Sequence, residues 1–206
     1  MNLDNDVKIV GDKPSQDIKK HRETAVKSLN VDKELIKRAK AWGRAVAVKF
    51  IEDAKESEAS GDGISNFEML VHRRMLLSFT ATVGFEVFAN DDTLSGIAQK
   101  AFIDTIKQRE PEIHKTSEDT GAFSFYYLAY RRGGEVDRRI GQTFAMLCSH
   151  DGDPIFQELG EALYCWFLSF VKTLRFSTSE TILFTNLKRF LSASNTAFLL
   201  VRSTSL

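Results

Sequence analysis

Apolar residues recur at spacings of three and four along most of this chain, and this period is the feature that most limits its possible folds. The pattern is clearest in one stripe formed by Val31, Leu35, Ala39, Trp42, Val46, Phe50 and Ala54. Such a period belongs to an amphipathic α-helix, whereas a half-buried strand alternates every two residues. Only 3 prolines interrupt the 206 residues, so long helices are permitted almost everywhere. The pattern predicts an all-α fold.

One segment, from about 66 to 89, carries apolar residues on nearly every face of its predicted helix. A helix that is apolar all round is a buried one. We therefore predict that this segment is the central helix of a bundle, with Leu70, Leu77 and Phe88 buried.

Capping residues and glycines divide the rest of the chain into further helices. Asp91 and Asp153 are each placed to cap a helix, and Pro154 suits a first helical turn. The glycine pair at 133–134 is a typical helix end. We predict about seven to eight helices in all. They include one at 17–29, another from Asn30 to Ser57, and a last one at about 180–193.

The length of the chain favours a single domain with one hydrophobic core. We predict a mobile N-terminal tail over residues 1–14 and a helical bundle over residues 15–176. Residues 177–206 are predicted to form a C-terminal helix and tail packed on the same domain.

The charge balance argues against two classes of partner. The 28 basic residues equal the 28 acidic ones, and nucleic-acid binding depends on an excess of positive charge. The chain also lacks the basic patch of a membrane-surface anchor, a secretory signal and a long apolar run. We expect a cytoplasmic protein with no nucleic-acid partner, no membrane partner and no cofactor. Cys148 and Cys165 lie among apolar residues and are predicted to be reduced and buried.

Metal binding has only weak candidates. His150 and Asp151 are adjacent, as metal ligands are in some helical phosphohydrolases, and His72 and His114 lie upstream. Those enzymes need a further Asp downstream, and Asp153 is better explained as a helix cap. The alternative is that His150 and Asp151 simply form the turn that ends a helix. We therefore predict no metal site.

Four arginines surround the glycine pair: Arg131, Arg132, Arg138 and Arg139. Nearby acids, Glu135 and Asp137, can neutralise part of this charge. Arginine side chains beside a helix start also suit a phosphate or a carboxylate. The cluster is therefore our candidate anion-binding site.

The other candidate is aromatic and consists of Phe123, Tyr126, Tyr127 and Tyr130. Such a run can line a hydrophobic ligand pocket with hydroxyl handles. It can equally well belong to the core and to an interface between copies.

No catalytic motif stands out, so the sequence favours a non-catalytic binding domain that acts through self-association, most simply a dimer, or through a protein partner. Two alternatives remain open. One is an enzyme or sensor for a phosphorylated or anionic small molecule, and the other is a domain that senses a hydrophobic ligand.

Overall fold

The computed structural model describes residues 16–59, 67–89, 91–117 and 120–175, with side chains from Lys33 onward except those of Ala59 and Thr120. These residues form seven α-helices and no strand, which confirms the all-α prediction. In chain order the helices are α1 (Gln16–Ala59), α2 (Phe67–Phe88), α3 (Asp92–Arg109), α4 (Pro111–Ser117), α5 (Thr120–Arg131), α6 (Val136–Leu147) and α7 (Pro154–Arg175). The predicted helix at 180–193 and both predicted tails lie outside the described residues.

Helix α1 corrects one boundary predicted from the sequence. Two helices were expected, meeting near residue 30, but α1 is continuous over 44 residues. No glycine or proline lies between residues 16 and 42, so nothing in that stretch forces the helix to end. The chain divides into two units, residues 1–37 and residues 38–206. The first unit contributes the beginning of α1, and the second contains the core described next.

Helix α2 lies at the centre of the second unit and contacts α3, α4, α5, α6 and α7. Its predicted central position is confirmed, and Leu77 is buried. Leu70 and Phe88 are only half-buried, contrary to prediction. Both lie within about one turn of an end of α2, where fewer neighbouring helices cover the surface.

A charged pair and an indole hydrogen bond connect α1 to the rest of the core. Arg73 on α2 donates two hydrogen bonds to Asp53 on α1, over 2.9 and 2.7 Å. The side chain of Asp53 is 8% exposed and that of Arg73 is 14% exposed, so little water reaches either group. The indole N–H of Trp42 donates to the carbonyl oxygen of Val171 on α7 over 2.9 Å.

Helices α6 and α7 approach closely because glycines lie at their crossing. A Cβ atom at Gly141 would lie 2.3 Å from the carbonyl oxygen of Gln157. A Cβ atom at Gly160 would lie 2.6 Å from Cβ of Phe144. Neither position has room for a side chain: Gly141 lies against the backbone of α7, and Gly160 lies against the side chain of Phe144.

The predicted helix ends are present. Asp91 accepts hydrogen bonds from the backbone N–H groups of Thr93 and Leu94 and caps α3. Asp153 accepts from the N–H of Ile155, over 2.9 Å, at the start of α7. Beyond α5, residues 133 and 134 have φ angles of +65° and +70°, a conformation that glycine adopts without steric penalty.

Candidate functional site

The inner side of α5 belongs to the core. Tyr126 is fully buried, and its ring stacks on Phe79 of α2 with 5.4 Å between ring centres. Tyr130 meets the same ring edge-on at 6.4 Å. Within the described part of the chain the Tyr126 hydroxyl has no hydrogen-bond partner, and burial raises the pKa of Tyr126 well above its usual value. Phe123 also meets the Phe79 ring edge-on, at 6.0 Å, so three of the four aromatic candidates pack in or against the core.

The outer side of α5 carries three large apolar side chains that remain half-exposed. Phe125 is 50%, Tyr127 47% and Leu128 57% exposed. At about 100° per residue, Leu128 lies between the other two around the helix. We call these three residues the α5 face. The guanidinium of Arg131 lies over the Tyr127 ring, 5.5 Å from its centre.

A groove between α2 and α5 adjoins the α5 face. Its volume is about 240 Å³, and Phe79, Val83, Glu86, Phe123 and Tyr127 contribute to its walls. Pockets for small-molecule ligands usually measure about 300–1,000 Å³. This groove is smaller than that range, and its size suits a single protruding side chain.

The four arginines do not converge on one point. Arg138 forms an ion pair with Glu135 at 3.2 Å, and both side chains are exposed. Arg131 lies on the Tyr127 ring. Arg132 and Arg139 instead line the same cleft between α5, α6 and the turn after α6, with a volume of about 160 Å³. The structure thus brings two members of the cluster together.

The weak metal candidates lie apart. The His150 ring stacks on Phe156, 3.7 Å between centres, and its Nδ1 is 3.9 Å from Asp153 Oδ2. His72 lies on α2, and Asp151 lines the cleft with Arg132 and Arg139. Across the described ranges, no three His, Cys, Asp or Glu side chains are grouped so that they could hold a metal ion.

The two cysteines differ in solvent exposure, which corrects the prediction that both are buried. Both are free thiols, but Cys148 is buried and Cys165 is exposed. Leu163, Tyr164 and Phe167 occupy the inward positions of α7, so Cys165 faces outward although its sequence neighbours are apolar. Burial raises the pKa of Cys165 to about 11, and the carboxylate of Asp137 adds to this effect.

We expect one thiol per native chain to react with a soluble alkylating reagent, and that thiol to be Cys165. Only the thiolate reacts, so the rate should rise about tenfold per pH unit until pH approaches the pKa of about 11. Burial raises the pKa of Cys148 to about 12 and shields its sulfur. Mass spectrometry of the labelled protein measures both rates. Cys165→Ser should abolish labelling and Cys148→Ser should leave it unchanged; equal rates at the two sites would contradict the assignment.

The sequence did not single out Leu128, Gln142 or Thr143. Leu128 could have been found from helical geometry, because it lies opposite the inward residues Ala122, Tyr126 and Ala129. Gln142 and Thr143 border the cleft and carry no sequence signal of their own.

None of the described helices is long and apolar enough to cross a membrane. Comparison of the chain with protein-family models, curated proteins and solved structures gives no match in any of the three. The functional assignment therefore depends on the surfaces of α5 and α6.

Proposed function

We propose that this chain is a non-catalytic helical interaction domain, and that it binds a second copy of itself through the α5 face. The observation that carries the proposal is the exposure of Phe125, Tyr127 and Leu128 on one side of a helix of only 12 residues. Scattered single apolar residues are ordinary on a protein surface, but here Phe125 and Leu128 are neighbours on the helix and Tyr127 lies on the same exposed side. Such a clustering is typical of an interaction site.

The exposed apolar area of the α5 face is consistent in size with the centre of a protein–protein interface. An aromatic side chain buries about 150–250 Å² when fully covered, so three half-exposed large side chains offer on the order of 300 Å². A stable interface covers about 800 Å² on each partner. The α5 face is therefore large enough for the apolar centre of an interface, and the surrounding polar residues supply the rim.

The charges around the face favour a second copy as the partner. Glu86 borders the groove on one side, and Arg131 lies over Tyr127 on the same helix as the face. In a twofold dimer each copy offers both an acid and an arginine to the other, so opposite charges can pair. The equal numbers of acidic and basic residues leave no net repulsion between copies.

The other functional classes have less support. The groove is small for a hydrophobic ligand, whereas it suits one side chain of a partner. Tyrosine and arginine are also residue types that often dominate binding energy at interfaces, and both lie on α5.

We expect the purified protein to have twice the chain mass in solution and Leu128→Glu to have the mass of one chain. A charge placed at the centre of an apolar interface removes at least about 2 kcal/mol, which weakens the dimer about 30-fold or more. Light scattering coupled to size-exclusion chromatography, over a dilution series, measures the mass.

Ile155→Glu is the matched control. Ile155 is 73% exposed on α7 and lies outside the α5 face, so this variant should still dimerise. Both variants change exposed side chains and should keep the wild-type melting temperature. That temperature is measured after dilution to a concentration at which the wild type and both variants are monomeric. A wild-type monomer at every concentration, or a loss of dimer in both variants, would overturn the proposal.

A further inference from the structure

The cleft between α5, α6 and the turn after α6 combines positive and negative groups. We call it the arginine cleft, and its polar lining consists of Arg132, Arg139, Gln142, Thr143 and Asp151. It lies outside the groove described above, with which it shares no lining residue. Its volume is about 160 Å³, enough for a small molecule of a few heavy atoms.

Arg139 is held in position before any ligand binds. Its Nη1 donates a hydrogen bond of 2.6 Å to the carbonyl oxygen of Gly133. A guanidinium has five N–H groups, so most of its donors remain available. A side chain that is already fixed loses less conformational entropy when it binds, so Arg139 provides a preorganised donor at the cleft.

The other charged groups of the cleft are not paired with each other. Among the described residues, neither Arg132 nor Asp151 forms an ion pair within 4.0 Å. The remaining arginines of the cluster are engaged elsewhere, Arg138 with Glu135 and Arg131 with Tyr127. The cleft therefore holds two guanidinium groups and one carboxylate, with a net charge of +1.

We propose that the arginine cleft binds a small organic oxyanion that also carries a hydroxyl or ammonium group. A carboxylate or phosphate head accepts hydrogen bonds from the forked donors of Arg132 and Arg139. Asp151 accepts a hydrogen bond from the hydroxyl or ammonium. Thr143 donates its own hydroxyl proton to the backbone oxygen of Arg139, so its oxygen offers a further acceptor. An oxyanion without a donor group leaves Asp151 unpaired and is repelled by it.

The test uses three simple probes: inorganic phosphate, acetate and glycolate, which is acetate with a hydroxyl group added. Isothermal titration at constant ionic strength measures each affinity. We expect Arg132→Gln to weaken binding of the preferred head group about tenfold or more, because a charge-assisted hydrogen bond is lost. Arg138→Gln removes the same charge outside the cleft and should leave the affinity unchanged.

Asp151→Asn tests the second half of the proposal. Wild-type protein should bind glycolate more tightly than acetate. Asp151→Asn should reduce that preference, because a neutral amide oxygen is a weaker acceptor than a carboxylate, while it tightens acetate and phosphate binding. Tighter binding of phosphate than of acetate would identify a phosphorylated ligand, and the reverse order a carboxylate. Equal losses in Arg132→Gln and Arg138→Gln, or the absence of binding by all three probes, would overturn the proposal. Leu128→Glu should leave these affinities unchanged, which separates this site from the dimer.

Discussion

Replacement of Asp53 by Ala is expected to lower the free energy of unfolding by about 3 kcal/mol, because it leaves the Arg73 guanidinium nearly buried without its partner. The two groups share two hydrogen bonds, and their side chains are 8% and 14% exposed. The destabilisation comes mainly from the unpaired cation, because removal of both charges from such a pair is often tolerated. Urea denaturation followed by circular dichroism measures the change.

The exposed pair between Arg138 and Glu135 provides the control. Both of its side chains are more than half exposed, and exposed pairs contribute about 0–1 kcal/mol. Arg138→Ala should therefore change the free energy of unfolding by less than about 1 kcal/mol. The double variant Asp53→Leu, Arg73→Met should recover part of the loss seen in Asp53→Ala. If Asp53→Ala lowered the free energy of unfolding as little as Arg138→Ala does, the Asp53–Arg73 pair would not be needed to hold α1 on α2.

The second large effect is expected at the crossing of α6 and α7. Gly141→Ala should lower the free energy of unfolding by about 2 kcal/mol, although alanine is the better helix former. The new methyl group would lie 2.3 Å from the carbonyl oxygen of Gln157 and 3.1 Å from the backbone nitrogen of Glu161. Backbone atoms cannot move aside as a flexible side chain can. The two helices must separate, and overpacking of this kind costs about 1–3 kcal/mol.

Gly96→Ala is the matched control, because it places the same substitution in a helix with open space around it. No atom lies within 4 Å of a Cβ at Gly96 on α3. This variant should gain about 0.5–1 kcal/mol from the lower entropy of the unfolded chain and the better helix propensity. The melting temperature and the urea midpoint should therefore fall in Gly141→Ala and rise in Gly96→Ala. A gain of stability in both would show that α6 and α7 are less closely packed than described.

Much of the helical framework could be predicted from the sequence, because caps and apolar periodicity are local properties. Asp91 and Asp153 bond to backbone N–H groups two or three residues away, so their role depends on neighbours in sequence. The central helix was predictable for a related reason, since a segment that is apolar on every face must be covered on every face.

The location of the candidate sites was only partly predictable. The aromatic run and the arginine cluster are visible as sequence, but their members separate in space. Tyr126 packs in the core and Tyr127 is exposed, although the two are adjacent. Their difference depends on the rotation of α5 about its own axis, which is set by the α2 surface against which it packs.

The sequence by itself therefore determined which of the described segments are helical, where most of those helices begin and end, and which helix is central. Tertiary structure alone decided that Arg132 and Arg139 share a cleft with Asp151, that Cys165 faces outward, and that Gly141 meets the backbone of α7. The physical reason is the range of the interactions. Caps and helical periodicity act within a few residues, whereas a cleft, an exposed face and a helix crossing depend on how separate helices turn toward one another.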